Sequence, residues 1–402
     1  MNIEKLLQLR DEVHEELIGN ILPFWMDKMV DIEHGGFYGQ MTGSNQLVPD
    51  APKGAILTTR LLWTFASAAR HLEDERYTEY ARIAKAYLFA HFFDLRNGGI
   101  YWSVAADGSP LETRKWISAQ AFALYALVEY YRLTNDQLVL SAAIGLYRLI
   151  EEYGYDSRGE GYHELFRPDW TRLEDANLNK SDTTQKKSMN THLHVLEAYT
   201  NLYRVWKDAE LKLQLKKLVE LFLFKMINPE THHLDLFFDA NWQCHSSLIS
   251  YGYDIEVSWL LEDAAVELGD ELLMARVRGE VVKIAIAAFE GMQPDGSLIN
   301  EKEQSAGSID CNCLWWAQAE AMVGYLNAWE LIKRPAFLEA VLNSWDFIRK
   351  NLIDHENGEW FWAVNASGIP DTQNDKAGLL KSPCHNARMC LEVMRRVDRE
   401  RN

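Results

Sequence analysis

The sequence predicts an all-α chain folded as a closed (α/α)6 barrel, six helix pairs in a ring with short β-hairpin elements on one face. Three observations predict it. A short aromatic segment, usually with glycine, recurs six times: HGGFYGQM (34–41), NGGIYWSV (97–104), RGEGYHEL (158–165), THHLDLFF (231–238), DGSLINEK (295–302) and NGEWFWAV (357–364). Successive copies start 63, 61, 73, 64 and 62 residues apart, a repeat period to be read before anything else. Between the copies, apolar residues fall at helical spacing in stretches that make about twelve helices. Neither end carries the atypical polar repeat that caps a linear solenoid, so the last helix is expected to pack near the first. No linker or low-complexity stretch divides the chain, which is taken as one domain, 1–402.

In chain order, MNIEKLLQLRDEVHEEL opens as an amphipathic charged helix. The next helices are expected over 59–72 and 74–93, then 119–133 with 138–153, and 190–206 with 210–226. Two more pairs follow, 254–268 with 271–289 and 315–331 with 335–352. The last helix starts at Pro383, with Ser382 as its cap and proline at the position that tolerates it best. Each glycine segment reads as a tight turn entering a short strand; the fourth copy lacks the glycine and the fifth is weak.

Composition narrows the function. Apolar residues are 48% of the 402, enough for a substantial core, and the net charge is −18. That balance argues against nucleic acid or an anionic membrane as a partner. The five cysteines are Cys244, Cys311, Cys313, Cys384 and Cys390, with no CxxC among them. An odd count without that spacing reads as a reduced, cytoplasmic chain without disulfides or a cysteine-based zinc site. The N-terminal stretch lacks the apolar core of a signal peptide. No P-loop, GxGxxG, GxSxG or HExxH occurs, so neither a nucleotide cofactor nor a metal is expected. Monomer and homodimer both stay open.

In such a toroid the N-terminal ends of the inner helices face one central cleft, and polar residues there are the site candidates. His385 falls in the first turn of the last helix, where the helix dipole favours neutral imidazole, a form able to take a proton near pH 7. Arg388, three residues on, shares its face and is suited to an anion. Arg60 begins an apolar helix and is suited to an anion or a developing oxyanion. After Asp182 comes a third cluster, in which Asn190, His194 and Glu197 share one helix face while His192 points elsewhere. Histidines at i and i+2 chelate a metal poorly from a helix. Tyr253 and Glu256 share a face, the latter as acid, base or buttress. Trp315 and Trp316 open another helix, and one of them suits a sugar-stacking wall.

NTHLHVLEAY (190–199), GYDIEVSWLLEDAA (252–265), WWAQAEAMVG (315–324) and KSPCHNARMCLEV (381–393) together resemble the N-acylglucosamine 2-epimerase superfamily, most of all its cellobiose and mannose 2-epimerase members. The resemblance covers nearly the whole chain and implies an (α/α)6 barrel carrying out cofactor-free C2 epimerisation of an aldose through a cis-enediolate. It implies that His385 is one of two histidines flanking the reacting carbon. It places His194 near O1 and O5, Arg60 at the enediolate oxygens, Glu256 as an orienting carboxylate and Trp316 as the stacking ring; Asn190, Asp182 and Arg388 are further candidates for holding the sugar. Three positions depart. The family's GHDIE is GYDIE here, so Tyr253 stands where the second histidine is expected. A phenol is a poor base near neutrality, so either the chemistry leans on His385 and His194 or the substitution disables the site. Leu380 replaces a tryptophan that stacks on a second sugar ring, which favours a free monosaccharide, glucose or mannose; Ser118 replaces a tyrosine of the disaccharide enzymes, so the sugar contacts there differ. Mannose–fructose isomerisation is the alternative on the same fold. A glycoside hydrolase would need two flanking carboxylates, for which only Asp182 and Glu256 can be nominated.

Overall fold

The computed structural model describes residues 2–173 and 186–401. Its helices are α1 (Asn2–Glu16), α2 (Leu22–Lys28), α3 (Ala55–Leu72), α4 (Glu75–Tyr87), α5 (Ile117–Thr134), α6 (Gln137–Leu149) and α7 (Met189–Val205). Then come α8 (Ala209–Leu221), α9 (Tyr251–Leu268), α10 (Glu271–Ala288), α11 (Trp315–Ile332), α12 (Pro335–Phe347) and α13 (Cys384–Arg401). One π turn joins α1 to α2 as a single rod. Helices α3, α5, α7, α9, α11 and α13 each pack on the next, and α13 returns to α3, closing the inner ring of the (α/α)6 barrel. Helix α1 covers α13, so the two ends of the chain meet, with Arg10 bonded to Asp398 at 3.1 Å. Among the described residues no helix is long and apolar enough to cross a membrane.

The inner helices are buried almost all round; α11 starts at the expected Trp315, whereas α3, α5 and α9 start two to four residues earlier than expected. α3 begins at Ala55, four residues before the predicted start, because its first turn is as buried as its middle. Each of α3, α5, α9 and α11 ends on a left-handed residue: Glu73, Asn135, Gly269 and Lys333. After α3, α5 and α9 an aspartate, Asp74, Asp136 or Asp270, caps the next outer helix by accepting from its free N–H groups, whereas α12 follows Arg334 without a side-chain cap. Ser382 does not cap α13 as expected. Its hydroxyl is buried without a partner, and the first helical bond runs from Ala387 to the Pro383 carbonyl, so the helix starts one residue late.

Short strands stitch neighbouring repeats at the N-terminal ends of the inner helices. β1 (Lys53–Gly54) pairs with β2 (Ser103–Val104), and β3 (Pro110–Glu112) extends that sheet. β4 (Lys115–Trp116) pairs with β5 (Leu165–Phe166), and β6 (Lys187–Ser188) with β7 (Phe237–Phe238). β8 (Leu248–Ser250), β9 (Glu301–Glu303) and β10 (Ser308–Asp310) form a hairpin sheet, and β11 (Cys313–Leu314) pairs with β12 (Ala363–Val364). Buried lysines lock these stitches to aspartates of the glycine turns: Lys53 to Asp31 at 2.6 Å, Lys115 to Asp94 at 2.9 Å, Lys187 to Asp156 at 3.0 Å, and Lys376 to Asp354.

The turns themselves are pinned from the first turn of an inner helix, by the fourth residue of α5, α7, α9 and α11 and the third of α13. Gln120 brackets Ile100 through both its N–H and its carbonyl, and Gln318 does the same for Leu298. His192 accepts from Tyr162 N–H at 2.8 Å, Asp254 from Leu234 N–H at 2.8 Å, and Asn386 donates to Glu359 at 2.6 Å. Gly99 shows why glycine recurs. Its φ is +71°, and a β-carbon there would lie 2.6 Å from the Trp170 ring and 2.8 Å from the Gln120 side chain. The glycine-free fourth copy solves the same turn with His232 at φ +62°.

The seam where α1 meets the last turn holds a titratable group. Glu16 accepts from Trp360 Nε1 at 2.8 Å and from Asn20 at 2.6 Å, and burial raises its pKa to about 7. A carboxyl raised on folding binds more protons in the native state, so its contribution to stability falls as pH climbs from about 4.5 to about 7. Glu16→Gln keeps the acceptor and removes the titration. Its unfolding temperature is expected to match wild type near pH 4.5 and exceed it by on the order of 2 °C at pH 8. Scanning calorimetry at the two pH values checks this, and an equal difference at both would refute it.

Candidate active site

Two residues beyond each of the five pins, and near the start of α3, the six inner helices contribute one side chain apiece on the cleft side: Arg60, Phe122, His194, Glu256, Glu320 and Arg388. One turn nearer the mouth stand Ser118, Asn190, Trp316, Tyr253 and His385. The first four of these are half-buried and His385 is buried. Residues three or four apart share a helix face, so the two tiers line one cleft.

Arg388 organises the floor. Its Nη1 bonds Glu197, and its Nη2 bonds Glu256 at 2.9 Å and Glu320 at 2.6 Å. Its guanidinium lies 5.0 Å from the Trp259 ring centroid, and Trp259 Nε1 donates to Glu320 at 2.8 Å. Arg388 is therefore not the free anion site expected from sequence, since both its terminal nitrogens are spent on protein carboxylates. Burial pushes the carboxyls up. At Glu320 the Arg388 charge and the His385 hydrogen bond outweigh burial and hold it below the ordinary range; Glu256, facing the Glu320 charge, is left raised.

His385 is held by Glu320, with Nδ1 to carboxylate oxygen 2.7 Å, and has Glu256 at 3.9 Å. Burial lowers its pKa to about 4, so the ring is neutral near pH 7. With Nδ1 engaged, Nε2 has no protein partner among the described residues. Glu256, Glu320 and His385 place three ligating atoms within 4.8 Å of one another, a set that in isolation suits a cation. Arg388 already supplies the positive charge between the two carboxylates, so the set does not fit a metal ion.

His194 packs on Phe122 with ring centroids 4.2 Å apart. Its Nδ1 is 3.7 Å from Glu197 without a hydrogen bond, and burial lowers its pKa. Arg60 lies against the same Phe122 ring, 4.4 Å from its centroid, and donates to the Leu380 carbonyl at 3.2 Å. It is 9% exposed, its Nε has no partner, and no carboxylate pairs with it among the described residues. A cation that is buried and unneutralised is poised for an anionic ligand. Tyr253 packs on Trp316 with centroids 5.0 Å apart, and Trp316 is 5.9 Å from His385. Burial and the neighbouring Glu256 and Glu301 push the Tyr253 phenol up, so it stays protonated. Gly252 is required by this packing, because a β-carbon would sit 2.6 Å from the Trp316 ring.

The candidates named from sequence divide accordingly. His385, Glu256, His194, Arg60, Tyr253 and Trp316 converge on the cleft; Ser118 and Asn190 stand at its rim; Leu380 is 53% exposed in the loop before α13, offering its carbonyl to Arg60. Asp182 lies outside the described residues. Glu320 and Trp259 were not singled out for a role, although Glu320 stands four residues after Trp316, the spacing that puts two side chains on one face.

A sequence profile of the N-acylglucosamine 2-epimerase (GlcNAc 2-epimerase) family matches residues 36–380. The cellobiose 2-epimerase of Bacteroides fragilis is 47% identical over 386 residues, covering 96% of this chain and 98% of that one. The structure of cellobiose 2-epimerase from Bacillus thermoamylovorans superposes with a TM-score of 0.94 at 42% identity, covering 97% of this chain and 99% of that one. A D-mannose isomerase crystal structure shares the fold, with a TM-score of 0.84 at 18% identity, covering 96% and 97%.

Proposed function

The chain belongs to the N-acylglucosamine 2-epimerase family and is a sugar 2-epimerase; from that premise we propose that it interconverts D-glucose and D-mannose, free or as the reducing end of β-1,4-linked disaccharides such as cellobiose. The observation that carries the reading is the His385–Glu320 contact of 2.7 Å, which fixes the imidazole with Nδ1 inward and Nε2 free. The open-chain aldose sits between His385 and the Tyr253–Trp316 wall. His385 Nε2 removes the C2 proton, and Glu320 stabilises the imidazolium through Nδ1–H. The electrons pass from C2 to the carbonyl, giving a cis-enediolate whose charge is answered by Arg60, with His194 at the neighbouring oxygen. C2 is planar in the enediolate, so the Tyr253 phenol, on the side opposite His385, returns a proton to the other face of C2 and inverts it. The resulting phenolate takes a proton from solvent and the His385 imidazolium gives one up, which restores the starting state.

Tyr253 also supports a second reading. A phenol held protonated is a slow partner, and the proton on His385 then returns to C1, giving the ketose. Proton NMR of the protein with D-mannose in heavy water decides. Deuterium at C2 together with glucose supports epimerisation, fructose as main product supports the isomerase, and no exchange with mannose, glucose or cellobiose defeats both. Tyr253→Phe is expected to cut glucose formation about 100-fold while deuterium still enters C2 of unreacted mannose through His385. Undiminished glucose formation would remove Tyr253 from the mechanism.

A further inference from the structure

At the Arg60 side of the cleft mouth, two tryptophans take no part in this chemistry. Trp116 is the residue before α5, and Trp102 the residue before β2. Their ring centroids are 5.3 Å apart at 45°, and both are half-buried. Their place in the ring follows from the backbone. The first N–H of five of the six inner helices bonds the carbonyl of a residue preceding a strand: Ala55 to Trp102, Ile117 to Glu164, Met189 to Leu236, Tyr251 to Asn300 and Trp315 to Trp362. Three of these equivalents, Glu164, Leu236 and Asn300, are buried, and Trp362 packs against Trp315 with centroids 4.6 Å apart. Between α3 and α5 this position also carries a tryptophan pair, but here both rings are half-buried, whereas Trp315 in the other pair is buried. Charged groups adjoin it. Arg114 and Glu112 form an exposed ion pair of 2.7 Å, and Glu112 is the residue whose carbonyl holds Trp102 N–H at 2.9 Å.

We propose that the Trp102–Trp116 pair is a second sugar-stacking surface, taking the distal ring of a β-1,4-linked disaccharide whose reducing end reacts at His385. The inference rests on the sugar-epimerase reading above. A pyranose offers a C–H face to an aromatic ring and hydroxyls at its edge; the tryptophans match the first, and Arg114 and Glu112 match the second. Position 380 cannot serve, because Leu380 has no ring. The cleft then has Trp316 for the reacting sugar and the tryptophan pair, on the opposite side of the ring of helices, for its neighbour.

The test is a comparison of KM and kcat for cellobiose and D-mannose in the wild type, Trp116→Ala, Trp116→Phe and Trp102→Ala. Removing a ring is expected to raise the cellobiose KM about three- to tenfold, with the D-mannose constants within twofold; phenylalanine, which still stacks, restores the cellobiose KM. An unchanged cellobiose KM, or equal losses on both sugars, overturns the proposal. Should Trp102→Ala fail to fold, the Trp116→Ala and Trp116→Phe pair decides alone. Should the wild type turn over neither sugar, the epimerase reading has failed, and calorimetric titration with cellobiose against glucose still decides the surface. Tighter cellobiose binding that Trp116→Ala abolishes supports it, and equal binding of the two sugars overturns it.

Discussion

His385→Ala is expected to lower C2 proton exchange by about 10²–10⁴-fold, the range that a positioned general base contributes, while the unfolding temperature moves by no more than a few degrees. The two halves of the expectation have separate causes. His385 is the neutral imidazole with a free ring nitrogen, and the only other histidine in the two tiers, His194, packs against Phe122 and faces Glu197. Stability is spared because Glu320, the partner left behind, keeps Arg388 at 2.6 Å and Trp259 at 2.8 Å. Deuterium incorporation at C2 of mannose, followed by NMR alongside a melting curve, checks both. Exchange persisting within tenfold of wild type would transfer the base to another residue. A collapse of the melting temperature would make His385 a structural element first.

Much of this site was legible before any coordinates because it is built periodically. The six turn segments recur with the helix pairs, so one count gave both the ring and the side of it that faces the cleft. His385, Arg60, His194 and Glu256 were found because polar side chains near the start of an apolar helix are conspicuous. What stayed hidden depends on partners distant in sequence. The pins occupy one structural position but are spelled Gln120, His192, Asp254, Gln318 and Asn386, residues with little in common beyond a hydrogen-bonding end. The lysine–aspartate locks span 21 residues or more, so nothing local announces them as buried pairs. Arg388 shares a face with His385, as expected, but its three carboxylates come from α7, α9 and α11. Only the closed ring brings them to it, and that is what turns an anticipated anion site into a clamp.

That clamp makes Arg388→Ala the substitution expected to cost most in stability, roughly 3–5 kcal/mol, the usual price of leaving buried charge without its partner. Glu197, Glu256 and Glu320 are all at most 5% exposed, and each bonds this one guanidinium. Without it, their native pKa values rise above those of the unfolded chain, so the folded variant takes up protons that the wild type does not. Its stability deficit is then expected to be largest near pH 8 and to shrink as pH falls toward 5, because protonation removes the repulsion. Arg388→Lys should recover only part, since an ammonium is a point charge and cannot present the planar fork that reaches three carboxylates. Adding Glu256→Gln to Arg388→Ala should recover part as well, by deleting the carboxyl that burial already disfavours as an anion. Melting temperatures of the four proteins across that pH range are the measurement. If Arg388→Ala melts with the wild type at pH 8 and loses only turnover, the guanidinium is there for the substrate, and the anion-holding role suggested by its place beside His385 is the correct one.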